Sequence, residues 1–314
     1  MEMKNFVVNS DYDQLALKGI VYVPNGKKKG IVQIVHGMCE YKERYIDFMK
    51  FLCSQGYVAA CYDQRGHGDS VETEEDLGWF GDSNAVAIVE DAAKVTRCLK
   101  KQYPDLPVVL FGHSMGSMVV RCYLREHDDL IDKLIVCGSP SKNPLVDAAI
   151  FLAKTIGLFR GKRHRSKLLS YLSTGKGDKL FLGEAKGAWL SRNRENIDEF
   201  YSNPKGRHRF TCNGFENLFK LMKRTYQKRG YRVKNPGLPI HFISGDKDAV
   251  IGDTFKWVNA TDFMMEVGYE NVTGKLYKDF RHELLNDLGR QNVFDDILEY
   301  IEQDPIDFEN EEQE

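Results

Sequence analysis

No apolar run in this 314-residue chain is long enough to cross a bilayer, since the longest, at 144–159, is interrupted by Asp147 and Lys154. A secretory leader is not expected either, because Ser10-Asp11-Tyr12-Asp13 arrives before an apolar core has built up. The seven cysteines, Cys39, Cys53, Cys61, Cys98, Cys122, Cys137 and Cys212, are odd in number and include no Cys-x-x-Cys pair. That spacing excludes the thiolate metal or redox centre such pairs build, and a cytoplasmic setting is the expectation. An excess of either charge is lacking as well: the net is -2, and no nucleic-acid partner is expected. No internal repeat occurs. With 42% hydrophobic and 29% charged residues, the chain has the composition of an ordinary globular protein with a substantial core.

Short runs rich in Val and Ile alternate with helical periodicity. Residues 17–23, 30–35, 57–62, 107–111, 134–137, 239–244 and 272–277 read as strands, and continuous runs such as 30–35 suit burial on both faces. Helical spacing appears at Val86, Val89, Ala93 and Leu99, ended by Pro104, and again over 293–301 before an acidic tail at 309–314 that should fray. Between Ser139-Pro140 and Asn235-Pro236-Gly237 the strand signal vanishes. The pattern predicts an α/β protein with a mostly parallel central sheet flanked by helices. Its core is expected at 1–140 and 237–314, with a helical insertion at 141–236 and function at the carboxyl ends of the strands.

Gly112-His113-Ser114-Met115-Gly116 follows one strand and opens a helical run over 117–125. This is the context in which a Gly-x-Ser-x-Gly turn presents a nucleophile, its glycines sparing collisions with the adjoining strand and helix. A serine hydroxyl needs a base, and the base an orienting carboxylate, arriving in the chain order Ser, Asp or Glu, His. Of eight histidines only His282 lies beyond the strand at 239–244 and its loop. That loop, Ser244-Gly245-Asp246-Lys247-Asp248, offers two carboxylates. Asp248 is favoured, three residues past the strand-ending glycine, with Asp246 capping the turn as the alternative. The oxyanion expects two backbone donors: the amide of Met115, after the nucleophile, and that of Met38, in His36-Gly37-Met38 at the end of an earlier strand.

These residues bring out a resemblance to the monoacylglycerol lipase and lysophospholipase group of α/β-hydrolases, also described as serine aminopeptidase-like, over most of the chain. His36-Gly37-Met38-Cys39-Glu40-Tyr41-Lys42-Glu43-Arg44-Tyr45 looks like the group's His-Gly-x-x-Glu-x-x-x-Arg-Tyr segment, and Asp63-Gln64-Arg65-Gly66-His67-Gly68-Asp69-Ser70 its Asp-x-x-Gly-His-Gly-x-Ser turn. Gly112 to Gly116 matches Gly-His-Ser-Met-Gly, and Trp189-Leu190-Ser191-Arg192 resembles a cap segment of bacterial members. The resemblance implies an α/β-hydrolase fold with a helical cap, hydrolysis of small acyl esters, and no metal or organic cofactor. Its Gly-x-x-Asp spacing supports Asp248. In monoglyceride lipases a Glu and an Arg after the oxyanion glycine meet the glycerol head, matched here by Glu40 and Arg44, but the second histidine of that site is replaced by Leu285.

Each of these readings has a plainer counterpart. Glu40 and Arg44 could form only a local ion pair. Leu145, Ile150, Phe151, Ile156, Leu158 and Phe159 are candidate acyl contacts or, equally, helix-packing core. Cys39 is read as structural, and His67 and His113 as turn geometry. The same catalytic residues could serve an amide or peptide hydrolase, or survive in a binding protein without turnover. The insertion holds 22 basic and 7 acidic residues, a net of +15 against -17 elsewhere. An apolar run beside Arg160-Gly161-Lys162-Arg163-His164-Arg165 suits peripheral contact with anionic lipid, or a solvated face neutralised by the acidic core. Oligomeric state is not fixed by the sequence.

Overall fold

The computed structural model describes residues 1–82, 85–175 and 177–303, so the acidic tail at 309–314 lies outside the described residues. The strands are β1 (Glu2–Asn9), β2 (Ala16–Val23), β3 (Gly30–Val35), β4 (Tyr57–Tyr62), β5 (Val108–His113), β6 (Lys133–Cys137), β7 (Ile240–Gly245) and β8 (Val272–Tyr277). They form one sheet in the order β1-β2-β4-β3-β5-β6-β7-β8. The two pairings of β2, with β1 and β4, are antiparallel, and all others are parallel. Strand order reverses at β3, which pairs with β4 on one side and β5 on the other. The crevice at such a reversal is where open α/β sheets bind ligands.

The helices are α1 (Ile46–Ser54), α2 (Ala85–Gln102), α3 (Met115–His127), α4 (Val146–Arg160), α5 (Lys167–Thr174), α6 (Arg194–Ser202), α7 (Pro204–Arg207), α8 (Cys212–Thr225), α9 (Thr254–Glu266) and α10 (Arg290–Glu302). Alternate strand residues feed two cores. Val32, Ile34, Val109 and Phe111 pack with Phe48 and Leu52 of α1 and Phe294 and Ile297 of α10. Ile31, Val35, Leu110 and Phe242 pack on the other face with α2, α3, α8 and α9. Burial on both sides is why these strands read as unbroken apolar runs, each such side chain contributing roughly 1.5–3 kcal/mol. Gln33, a polar residue within β3, is satisfied: its amide donates to the Ala92 carbonyl at 3.0 Å and its oxygen accepts from Thr96 at 2.7 Å.

The structure adds elements that the sequence pattern did not suggest. β1 is an exposed edge strand whose pairing with β2 supplies what its own polar sequence lacks. In α9 the apolar spacing of Trp257, Ala260, Phe263 and Met264 was available, with Asp253 capping the start through Lys256 N at 2.8 Å. Between β6 and β7 the described residues contain helices α4 to α8 and no strand. No described helix is long and apolar enough to cross a membrane.

Candidate active site

Ser114 sits between the last residue of β5 and the first of α3, with φ +53° and ψ -116°. A side chain in that region is strained by about 1–3 kcal/mol, and the flanking glycines let the turn close around it. A Cβ on Gly112 would come within 2.6 Å of the Gly116 carbonyl oxygen and of Val120, and one on Gly116 would collide with the Val35 carbonyl. The Ser114 amide donates to the Cys137 carbonyl at 2.9 Å, fixing the turn against β6.

His282 Nε2 lies 2.8 Å from Ser114 Oγ. Its Nδ1 faces both oxygens of Asp248, at 3.0 and 2.9 Å. Because the carboxylate can only accept, the proton belongs on Nδ1, which leaves Nε2 free to take one from the serine. Burial opposes ionisation of Asp248, but the neighbouring imidazole and hydrogen bonds from Val250 N (2.8 Å) and Ser244 Oγ (3.0 Å) hold its carboxyl below the ordinary range. Asp246 is turned away: it is exposed and accepts from the Asp279 amide at 2.7 Å, closing the turn. Geometry thus puts Asp248 beside the imidazole and Asp246 outside.

Met115 is the first residue of α3, where helix amides have no intrahelical partner and the macrodipole is positive. Gly37 packs against the serine, since a Cβ built on it would lie 3.0 Å from Ser114 Cβ, and Met38 is the next residue in the chain.

Glu40 and Arg44 are no isolated ion pair but part of a buried network. Glu40 accepts from the Gly37 amide, from Tyr45 OH at 2.7 Å and from His113 Nδ1 at 3.0 Å. Arg44 lies 3.8 Å from Glu40 and much closer, 2.5 Å, to Glu283, and it also donates to Asn196 at 2.9 Å. His113 Nε2 meets the His282 carbonyl at 3.1 Å, so both of its nitrogens face acceptors. Burial disfavours charge on His113, but Glu40 outweighs it and raises the pKa to about 9. Glu40 is buried too, yet His113 and Arg44 hold its carboxyl well below the usual range. A charged His113 therefore links the oxyanion segment to the loop of His282, a tie invisible in the sequence because Glu40 and His113 are 73 residues apart.

Ile150 packs against the core, whereas Phe151 projects into solvent, 72% exposed, as do Leu145, Leu158 and Phe159. Leu285, in place of the second histidine, is buried in the core shared with α1 and α10. Cys39 is enclosed, its Sγ donating to the His208 carbonyl at 3.2 Å, and burial pushes its thiol pKa up. Among the described residues the carboxylates of Glu43, Asp63 and Asp69 are close enough to hold a cation, but Lys42 already does so, 2.7 Å from Asp63 and 2.9 Å from Glu43, with Lys205 2.6 Å from Asp69. Sequence reasoning gave no part to Glu283 or Asp287, and none at the base to Trp189, whose ring lies 5.4 Å from that of His282.

Residues 26–289 match the model of the family described as Hydrolase_4, serine aminopeptidase, S33. Among curated proteins, the chain is 24% identical over 285 residues to a monoacylglycerol lipase of Mycolicibacterium smegmatis, covering 90% of this chain and 91% of that one. It is 21% identical to a probable lysophospholipase L2 of Haemophilus influenzae over 287 residues, 88% of this chain and 85% of the other. Among solved structures, a thermostable carboxyl esterase from Bacillus coagulans, in complex with glycerol, superposes with a TM-score of 0.85 at 27% identity, over 96% of this chain and 98% of that one.

Proposed function

Since this chain belongs to the serine aminopeptidase S33 family and is an α/β-hydrolase of the monoacylglycerol lipase and lysophospholipase kind, we propose that it cleaves acyl esters through Ser114, His282 and Asp248 by way of an acyl-enzyme. The observation that carries this reading is the continuous hydrogen-bonded relay from Asp248 through His282 to Ser114 at the carboxyl ends of β5, β7 and β8. Ser114 Oγ attacks the ester carbonyl as His282 Nε2 takes its proton, and Asp248 stabilises the imidazolium without being protonated itself. The amides of Met38 and Met115 receive the oxyanion, His282 returns the proton to the leaving alcohol, and water repeats the sequence to release the acid.

Residues 141–236 form, in this reading, a helical cap over the site. For the alcohol moiety, Arg44 Nε and Nη1 lack a hydrogen bond among the described residues but are buried, so a head-group hydroxyl would meet them beside Glu40 only after the enclosing side chains give way. The exposed face of α4 favours a lipid surface as the source of substrate. Leu145, Phe151, Leu158 and Phe159 project beside Lys154, Arg160 and Lys167, which carry no ion pair among the described residues. Fluorophosphonate labelling mapped to Ser114, followed by turnover of p-nitrophenyl esters of rising chain length against aminoacyl p-nitroanilides, tests the assignment. Labelling elsewhere would remove Ser114 as the nucleophile, and faster anilide than ester cleavage would replace the esterase reading with the peptidase one that the family's description also allows.

A further inference from the structure

His282 stands in the loop after the edge strand β8, and much of what holds that loop comes from the helical insertion. The His282 amide donates to the Trp189 carbonyl at 3.4 Å and the Glu283 amide to the Leu190 carbonyl at 2.8 Å. Arg281 donates to the Ala188 carbonyl at 2.7 Å and pairs with Glu184 at 2.8 Å. Asp287, 2% exposed, gathers the other end. It accepts from Ser191 Oγ at 3.0 Å and Arg192 N at 2.8 Å, pairs with Arg192 Nε at 3.3 Å, and accepts from the Arg281 amide at 3.3 Å. Asn196, on α6, donates to Glu283 at 2.6 Å. The Trp189 indole packs on the imidazole with the rings inclined at 33°.

These bonds are more than a lid requires. A segment that only shields an acyl chain has no need to satisfy the backbone amides of the base and its neighbour, and those amides would lack protein partners if it moved away. The base must also meet Asp248 and Ser114 together, and a misplacement of about 1 Å can cost ~100-fold in rate.

We propose that the strap 188–192, pinned by Asp287, is a positioning element for His282, so that the insertion aligns the base as well as covering the site. The proposal rests on the assignment of His282 as base. Asp287 and Ser191 touch no reacting atom and act only through the loop.

Steady-state kinetics of Asp287→Asn and of the milder Ser191→Ala, with p-nitrophenyl acetate and p-nitrophenyl decanoate, separate alignment from covering. Alignment predicts a fall in kcat of about 10- to 100-fold in Asp287→Asn, and a smaller one in Ser191→Ala, equal for the two esters and with KM within about twofold. Loss confined to KM for the decanoate, or a lowered melting temperature with kcat intact, overturns the proposal. If Asp287→Asn does not fold, Ser191→Ala decides by the same criteria. His282→Ala run in parallel distinguishes the two failures: full activity there removes the base itself, whereas a dead His282→Ala beside wild-type kcat in the strap variants removes only the strap.

Discussion

Removing the Ser114 hydroxyl or the His282 imidazole takes away nucleophile or base while leaving the surrounding packing in place. Ser114→Ala and His282→Ala should each lower kcat by about 10⁶-fold, because such residues act as a unit. Retention of more than a tenth of the wild-type rate in either would sink the assignment. Asp248→Asn should cost ~10⁴-fold through the wrong imidazole tautomer, and Asp246→Asn, which loses only contacts to a turn amide and to Lys247 away from the imidazole, far less. The reverse ranking would move the orienting role to Asp246. Glu40 and His113 make a different prediction. His113 rises from its ordinary 6.5 to about 9, so its charge contributes stability fully below 6.5 and loses it as pH climbs through 9. Glu40 is held below its ordinary 4.5, so its contribution is present above that value and fades on acidification. The pair is therefore worth most between 4.5 and 6.5, where both contributions are fully present. Glu40→Gln should cost about 3–5 kcal/mol near pH 6, by stranding buried charge, and less at pH 9. Urea unfolding of both proteins at the two pH values measures it, and a cost that grows toward pH 9 would contradict the charged pair.

At the scale of elements, the elbow, the tight turn that carries Ser114 between β5 and α3, depends on how closely β3, β5 and α3 approach. A Cβ at Gly116 meets the Val35 carbonyl, a backbone group that cannot swing aside, whereas a Cβ at Gly237 meets nothing within 4 Å. Gly116→Ala should destabilise by about 3 kcal/mol and displace Ser114. Gly237→Ala should be neutral or stabilise by about 0.5 kcal/mol, since it only restricts the unfolded chain. Equal unfolding midpoints for the two variants would mean that the crossing of α3 over β3 is looser than the geometry states.

For the whole molecule, charge is segregated between a basic insertion and an acidic remainder, and the structure neutralises part of it across that boundary. Arg163 pairs with Asp76, Lys205 with Asp69, Lys228 with Glu266 and Lys234 with Asp129. Lys154, Arg160 and Lys167, within or just after α4, have no ion pair among the described residues, and with the exposed apolar residues there they are the basis of the proposed contact with an anionic bilayer. Sedimentation with anionic vesicles should exceed that with neutral ones, and should weaken as salt shortens the screening length from ~10 Å at 0.1 M to ~3 Å at 1 M. Exchanging Phe151 and Leu158 for Asp should abolish it. Binding equal for both vesicle types and indifferent to salt would dismiss the lipid surface.

The sequence by itself determined the parallel sheet, because strands buried on both faces can carry almost no polar residues, and it determined the elbow, because a strand, a strained turn and a helix are all contained in residues 108–125. Chain order alone singled out His282. Loop position already favoured Asp248 over Asp246; the tertiary structure added the contact itself, since the path of the backbone after Gly245 decides which side chain meets the imidazole. It likewise paired polar β1 with β2, joined Glu40, Arg44, His113 and Glu283 into one network, and turned Phe151 outward. Periodicity tells which residues share a face of a helix; what covers that face is settled by segments distant in the chain, whose approach no local pattern encodes.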